Sequence, residues 1–372
     1  MSAPSHSLRM LVGARVRLAR EAKGWTQAQL ADALGIADRQ TITSIETGER
    51  KVAPEELPLL IRELEQPLEF FTDPHRVVEE NAFSYRARRE TADFATFERQ
   101  ARKLIETHRR LRTLLDETAP PMFNGLRGIT KTTPLETVGM VGYRFSVNWD
   151  LGQRPALKLR EAVERRQSVL VLEVDAPDGI SGAACHLEDG DVILLNRREP
   201  SYRRHYTLGH EFFHLLTWLD LPPPPRDIEE IEVKKPKVEQ LADAFTAHLL
   251  MPGPTLRKVW SAAKGTLRER VLHVARHFDV SGKAAYWRLV GDHHLKRTEA
   301  ESLAQDPLSR TDEIPDVKTA TPPFDRIFVQ RLHRALAQGR LTVNHAADML
   351  EYDRLELAGL FTAYGLKDPS AD

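Results

Sequence analysis

The 372-residue sequence has one cysteine, Cys185, and no apolar run near the ~18 residues that a membrane span requires. One cysteine excludes an internal disulfide framework and any all-cysteine metal site, so a metal centre would need histidine and carboxylate ligands. The first residues, MSAPSHSLRMLVGARV, lack the long apolar core of a secretory signal. We therefore expect a cytoplasmic protein without a membrane segment.

The sequence also has almost no net charge. Its 53 Lys and Arg and 54 Asp and Glu give −1 at pH 7, so the overall charge favours neither nucleic acid nor an acidic partner. The N-terminal region is locally basic, and such a segment can be balanced by acidic residues elsewhere. A hydrophobic fraction of 41% with 29% charged residues is typical of a globular protein long enough for two or three domains.

Three proline-rich or polar stretches divide the chain: TAPPMFNGLRGITKTTP (118–134), LPPPPRDIEEIEVKKPK (221–237) and QDPLSRTDEIPDVKTATPP (305–323). Helical patterns dominate, including a long charged one from Ala92 to Leu115, while SVLVLEV (168–174) and DVILLN (191–196) read as strands. The sequence thus predicts a mostly helical α+β protein with a small sheet. Predicted domains span residues 1–75, 124–300 and 324–372, joined by a helical linker (76–123) and a flexible tether (301–323).

Residues 15–50 show the sequence pattern of a helix-turn-helix. Val16, Leu30, Leu34, Ile42 and Ile45 fall at helical spacings in three short blocks, and Gly24 and Gly35 lie where helices end. The stretch resembles the XRE or Cro/C1-type DNA-binding family, whose TQxxLAxxLG and TIxxIExG blocks are matched by Thr26, Gln27, Leu30, Ala31, Leu34, Gly35, Thr41, Ile42, Ile45, Glu46 and Gly48. The turn through Ala37, Asp38 and Arg39 is one residue longer than the commonest form.

The likeness assigns DNA-binding roles to polar positions. Thr26 caps the second helix while Gln27 reaches a phosphate, since helix N-termini favour anions. The predicted recognition helix, Arg39–Thr47, leaves Arg39, Gln40, Thr43 and Ser44 to face a major groove.

Arg20 and Glu46 match positions that form a buried structural ion pair in the family. DNA-binding domains of this type usually bind paired half-sites on DNA, which predicts a homodimer. The alternative is a protein-interaction module with no DNA contact.

A second motif lies at YTLGHEFFHLLTW (206–218). Residues four apart share one face of a helix, so His210 and His214 can offer two imidazoles to one cation. In the HExxH arrangement Glu211 acts on the attacking water, whose pKa a zinc ion lowers toward neutrality. The alternative is an amphipathic helix whose histidines merely accept or donate hydrogen bonds.

A helix in EQLADAFTAHLLMP (239–252) can supply a third ligand, Glu239. Two imidazoles and one carboxylate leave a position open for water, the pattern of catalytic zinc, although manganese is equally compatible. Asp243, one turn further, can hold His210 or His214 by its other ring nitrogen. His248 lies beyond a plausible ligand position.

Together, TLGHEFFHLL and EQLADAFTAHLLMP resemble the ImmA/IrrE family of zinc-dependent endopeptidases, and the strand–turn–strand order of residues 180–211 fits it too. The likeness covers about 124–300, and with the N-terminal motif it indicates a regulator that fuses an XRE domain to such a peptidase. One departure is Phe213, where the family often has a small residue; its ring would narrow the site or pack against the sheet.

The resemblance implies cleavage of a partner repressor, itself often of XRE type, in a stress or mobile-element response. Val192–Asn196 is expected to form an edge strand that pairs with an extended peptide. The connection formed by residues 221–237 is either a lid over the site or a solvated loop. Residues Tyr202 to His205 either orient a substrate carbonyl or form a solvated basic turn.

Two other classes of function stay open. One is a DNA-binding sensor whose peptidase-like domain binds a small effector and does not cut. The other is an antitoxin-like or scaffold protein whose N-terminal helices contact proteins. In the tail, LTVNHAADMLEYDRLELAGL (341–360) repeats the helical rhythm without a basic face, and its Leu and Ala stripe indicates core or dimer surface.

Overall fold

A computed structural model describes residues 4–36, 38–72, 83–87, 92–117, 125–167, 169–177, 179–187, 190–221, 226–228, 235–295, 324–367 and 369. The chain divides into two compact units: Met1–Glu80 with Arg102–Arg110, and Asn81–Ala101 with Leu111–Asp372. Several predicted features lie outside the described residues, namely Ala37 of the longer turn, the tether 301–323 and most of the 221–237 connection.

The first unit is helical. Its helices are α1 (Pro4–Ala22), α2 (Gln27–Leu34), α3 (Arg39–Glu46), α4 (Glu56–Leu64) and α5 (Leu68–Thr72). The Thr26 side chain accepts the Gln29 N–H and starts α2, and Gly35, at φ +69°, ends it in the left-handed conformation that glycine adopts without strain. Asp38 caps α3 by accepting the Gln40 N–H.

The core of this unit forms from the apolar positions that the helical spacing predicts. Val16, Leu30 and Ile42 are completely buried, and Ile45 is nearly so. Gly13 of α1 lies so close to α3 that a Cβ would meet the Ile45 carbonyl oxygen at 2.1 Å. Helices α1 and α3 therefore pack backbone to backbone.

The second unit contains the sheet and most of the helices. Its elements up to the fourth strand are β1 (Phe83–Ala87), α6 (Ala92–Leu114), α7 (Leu135–Asn148), α8 (Ala156–Gln167), β2 (Leu170–Val174), β3 (Gly182–Cys185) and β4 (Val192–Asn196). Helix α6 is divided between the units, because its residues Arg102–Arg110 belong to the first. They are followed by α9 (Ser201–Thr217), β5 (Arg226–Ile228), α10 (Lys237–Leu250), α11 (Gly253–Ala262), α12 (Leu267–Phe278) and α13 (Gly282–Gly291). The tail adds α14 (Arg326–Ala337), α15 (Val343–Leu350) and α16 (Arg354–Ala363). This composition confirms the predicted, mostly helical α+β class.

The strands form one sheet in the order β2-β4-β3-β1-β5. β4 runs parallel to β2 and antiparallel to β3, so the prediction that Val192–Asn196 is an edge strand is wrong. All five residues of β4 are buried, as expected of a short continuous apolar run that has neighbours on both sides. The strand on the far side of β3 is β1, paired antiparallel with it, and β5 pairs parallel with β1.

Helices α7, α9 and α10 pack on each other beside the sheet. Their contact is dominated by Phe212, Phe213 and Phe245, which are completely buried, with the Phe213 and Phe245 ring centroids 5.4 Å apart. Gly142 of α7 lets α10 approach closely, because a Cβ there would meet the Phe245 carbonyl oxygen at 2.2 Å. The Phe213 ring thus packs against α10, whereas the sequence suggested the site or the sheet.

The tail folds as three capped helices. Asp325, Thr342 and Asp353 each accept a backbone N–H at the start of α14, α15 and α16. Ala346, Ala347, Leu357 and Leu360 of the predicted stripe are buried, which assigns these four residues to a core, whereas Leu355 of the same stretch is exposed. Within the described ranges, no helix is both long and apolar enough to cross a bilayer.

Candidate metal centre and DNA-facing helix

The centre is built on α9, which brings its two histidines together on one face. The His210 and His214 ring centroids lie 4.9 Å apart. The opposite face of the helix is apolar and buried through Phe212 and Leu216, which fixes the direction in which the imidazoles point. The same helix includes Tyr202 to His205, so they lie on its first turns and do not form a basic turn before it.

Helix α10 returns Glu239 to these rings from its first turn. Glu239 Oε2 lies 3.0 Å from His210 Nε2, and Oε1 lies 3.1 Å from His214 Nε2. One ligand atom from each of the three residues lies within 4.8 Å of the others. The structure thus gathers at one point the three residues that the sequence nominated as ligands.

Asp243, one turn after Glu239, faces the other nitrogen of one histidine. Its Oδ1 lies 3.3 Å from His210 Nδ1, while Lys235 Nζ contacts its Oδ2. The Nδ1 atom of His214 is buried and has no hydrogen-bond partner among the described residues. Of the two alternatives that the sequence left open, the carboxylate therefore holds His210.

The charges at this point favour a cation. Burial disfavours the charged imidazole of His210, but hydrogen bonds to Asp243 and Glu239 outweigh burial and raise its pKa to about 10. Burial raises the pKa of Glu239, and hydrogen bonds from His210 and His214 lower it far more, so the net pKa is well below the ordinary value. Glu239 is thus held as a carboxylate, and positive charge is stabilised beside it.

Glu211 lies on the side of α9 that faces strand β3. A Cβ on Gly182 would lie 3.4 Å from Glu211 Cγ, so the strand and the carboxyl side chain are in close contact. Burial raises the pKa of Glu211, against the lowering effect of the two histidines and of a backbone hydrogen bond from Ala184. A carboxyl group with a raised pKa is a suitable proton acceptor near neutral pH.

The donor set fits a divalent ion. Two imidazole nitrogens and one carboxylate are the protein ligands of a common class of catalytic zinc site, and they also accept manganese. A carboxylate that holds the far nitrogen of a ligand histidine, as Asp243 does for His210, is the usual second contact of such a site. His210, His214 and Glu239 would therefore hold the metal.

The predicted DNA-facing residues lie along α3. Arg39, Gln40 and Thr43 are exposed and Ser44 is half-buried. The Gln27 side chain donates to Glu46 Oε2 at 2.9 Å and accepts from the Thr43 hydroxyl at 3.1 Å, so it links α2 to α3. Its predicted phosphate contact would compete with these bonds.

Arg20 and Glu46 form a paired contact between α1 and α3. Arg20 Nε lies 2.6 Å from Glu46 Oε1, Nη2 lies 3.1 Å from Oε2, and both side chains are buried. Arg20 Nη1 also donates to the Trp25 carbonyl at 2.7 Å. The pair therefore joins the last turn of α1 to the last turn of α3.

Comparison with known families decides what these two regions are. Residues 16–71 match the family model described as helix-turn-helix, and residues 164–290 match the peptidase-family model described as the IrrE N-terminal-like domain. The chain joins a helix-turn-helix domain to an IrrE-type domain. The fusion predicted from the two motifs is confirmed.

Comparison with whole proteins adds little. No curated protein matches the chain. A solved structure of Bacillus thuringiensis PlcR in complex with the peptide PapR7 and DNA aligns with 96% of this chain and 93% of its own length, at 10% identity and a TM-score of 0.17. At that score the alignment carries no argument about fold or function.

Some residues of the IrrE-type domain were not expected at the site. Gly182 and Ala184 of β3 approach Glu211, and Lys235 contacts Asp243. The run of small residues in SGAAC was the one available signal for Gly182 and Ala184, because glycine within a strand often marks a close approach. Lys235 lies in a charged stretch whose pattern gave no such signal.

Proposed function

We propose that this protein is a DNA-binding transcriptional regulator with metal-dependent endopeptidase activity, and that it cleaves a partner repressor of XRE type. The observation that carries the proposal is the convergence of His210 Nε2, His214 Nε2 and the Glu239 carboxylate beside the buried Glu211. The IrrE-type domain match supports the peptidase half, and the helix-turn-helix match supports the DNA-binding half. The regulator would act in the cytoplasm, as a homodimer on paired half-sites.

Each residue has a distinct part in the proposed hydrolysis. A bound zinc or manganese ion would supply Lewis acidity, lowering the pKa of a water and polarising a peptide carbonyl. Glu211 accepts the proton from the attacking water and passes it to the leaving amine, which its raised pKa favours. Asp243 fixes the ring of His210 through Nδ1 and leaves Nε2 for the metal.

The decisive variant is Glu211→Gln in the zinc-loaded protein. We expect it to keep its metal and to lose cleavage of a co-expressed XRE-type repressor by about 10²–10⁴-fold, because the general base is gone while the ligands remain. Glu136→Gln, which changes an exposed carboxylate of α7, is the matched control and should cleave at the parent rate. Cleavage by Glu211→Gln as fast as by the parent would refute the mechanism.

A further inference from the structure

Strand β3 has a neighbour on each side, and one of them comes from a distant part of the chain. β4 pairs on one side, while β1 pairs antiparallel on the other, with Phe83 opposite Cys185 and Ser84 opposite Ala184. β1 lies between the helix-turn-helix domain and α6 in the sequence, outside the region that matches the IrrE-type domain. β1 therefore lies within the sheet, between β3 and β5, although it precedes the matched IrrE-type region by many residues.

Strand β3, which β1 covers on one side, lies beside the proposed general base. Gly182 of β3 packs against Glu211 Cγ and Thr207, and the backbone of Ala184 hydrogen-bonds to the Glu211 carboxyl group. Ser84 is therefore paired with the same residue that contacts Glu211. A peptide paired with β3 in this position would therefore lie close to Glu211.

We propose that β1 occupies the position in which an extended peptide substrate pairs with β3, so that substrate binds only when β1 leaves. This inference rests on the proposed peptidase function and adds the binding mode of its substrate. Addition of a strand to an open sheet edge is a common way to bind an extended peptide, since main-chain hydrogen bonds supply the affinity. One edge accepts one strand, so β1 and substrate exclude each other.

β5 holds β1 from its other side. Tyr85, Arg86 and Ala87 pair in parallel with Arg226, Asp227 and Ile228. β5 belongs to the connection between α9 and α10, the two helices that carry the proposed ligands. Release of β1 therefore breaks two ladders, which keeps the released form in the minority.

The single cysteine of the chain makes this pairing directly testable. Residues directly opposite in an antiparallel pair have Cα atoms about 4.5–5.5 Å apart, within the range that a disulfide spans. Phe83→Cys places a thiol opposite Cys185 and should oxidise to an internal disulfide, seen as the loss of both thiols and of two hydrogens in mass. Ser84→Cys, opposite Ala184, is the matched control and should stay reduced under the same oxidant. Equal oxidation of the two variants, or none in Phe83→Cys, would overturn the pairing.

The consequence for binding is tested with a fluorescent peptide of residues 81–90, NAFSYRARRE, on the zinc-loaded full chain. Ser84→Pro removes a backbone N–H and disfavours the strand, so it should bind the probe more tightly than the parent. If the released form makes up about 1–10% of the parent, the gain is about 10–100-fold. Oxidised Phe83→Cys should not bind, and reduction of the same sample should restore binding to the parent level.

Cleavage of the repressor is then measured on the same samples. Oxidised Phe83→Cys should be inactive and should recover on reduction. Cleavage or probe binding by the oxidised form at the reduced rate or affinity overturns the role of β1, even when proteolysis itself is established. Redox-dependent probe binding without cleavage by any variant supports the role of β1 and rejects the proposed peptidase function.

Discussion

At the scale of single residues, His214 is the clearest test of the metal centre. Its Nε2 lies 3.1 Å from Glu239 Oε1 and the side chain is almost wholly buried, so His214→Ala removes one of the three proposed ligands. We expect purified His214→Ala to contain less zinc per chain than the parent protein. Inductively coupled plasma mass spectrometry measures this zinc content. His248→Ala is the matched control, because His248 also lies on α10 but its Nδ1–H donates to the Ala244 carbonyl oxygen, and it should keep the parent's zinc. Equal zinc in all three proteins would remove the site.

The buried pair Arg20 and Glu46 gives a second residue-scale prediction. Arg20→Met leaves the Glu46 carboxylate buried without its main partner, which costs about 3–5 kcal/mol of stability. Hydrogen exchange of the α2 and α3 amides measures this unit by itself, and it should speed up accordingly. The double variant Arg20→Met with Glu46→Leu should recover much of the loss, since no charge remains buried. Unchanged exchange in Arg20→Met would show that the pair contributes nothing.

Residue-scale prediction from sequence works where local spacing decides the geometry. The positions of His210 and His214 on one face follow from a separation of four residues in a helix. The ligand count of zinc calls for a third ligand, and the second helix offers Glu239 for it. Gln27 shows the limit. Its side chain is drawn to the buried Glu46 carboxylate, a contact between helices that no local pattern reveals.

At the scale of elements, the contact between α7 and α10 positions Glu239. Gly142→Ala would push a methyl group into the Phe245 carbonyl oxygen, and backbone cannot move aside as a flexible side chain can. We expect a loss of about 1–3 kcal/mol in unfolding free energy and weaker zinc binding, because α10 must shift. Gly359→Ala, in α16 with open space around it, should instead stabilise by about 0.5–1 kcal/mol. Denaturant unfolding and zinc titration distinguish the two, and equal effects would contradict the packing argument.

The strands show why elements are harder to place than to recognise. The sequence identifies residues 168–174 and 191–196 as strands because β-branched and apolar residues dominate them. It places the second strand wrongly, since order in a sheet depends on which distant segments pair. β1 is the extreme case, as its partner β3 lies about a hundred residues along the chain and its alternating sequence, FSYRA, is only five residues long.

At the scale of the whole molecule, the net charge of −1 conceals the DNA-binding half. Full-length protein should bind its operator with an affinity that falls by orders of magnitude between about 50 and 200 mM salt, because contacts to phosphates release counterions. Arg39→Ala, which removes an exposed cation from α3, should weaken binding and reduce that salt slope by about one. Arg165→Ala, an exposed cation of α8, is the control and should leave both unchanged. An affinity that does not respond to salt would favour the protein-contact alternative.

The strand beside Glu211 is made of the smallest side chains: Gly182, Ala183, Ala184 and Cys185, all buried. A Cβ on Gly182 would already collide with Thr207 and with the Leu194 carbonyl oxygen. In the proposed binding mode, such a strand gives a bound peptide main-chain hydrogen bonds, while its short side chains form almost no pocket that distinguishes one amino acid from another. We therefore expect contacts outside this strand to decide which proteins the proposed peptidase cleaves.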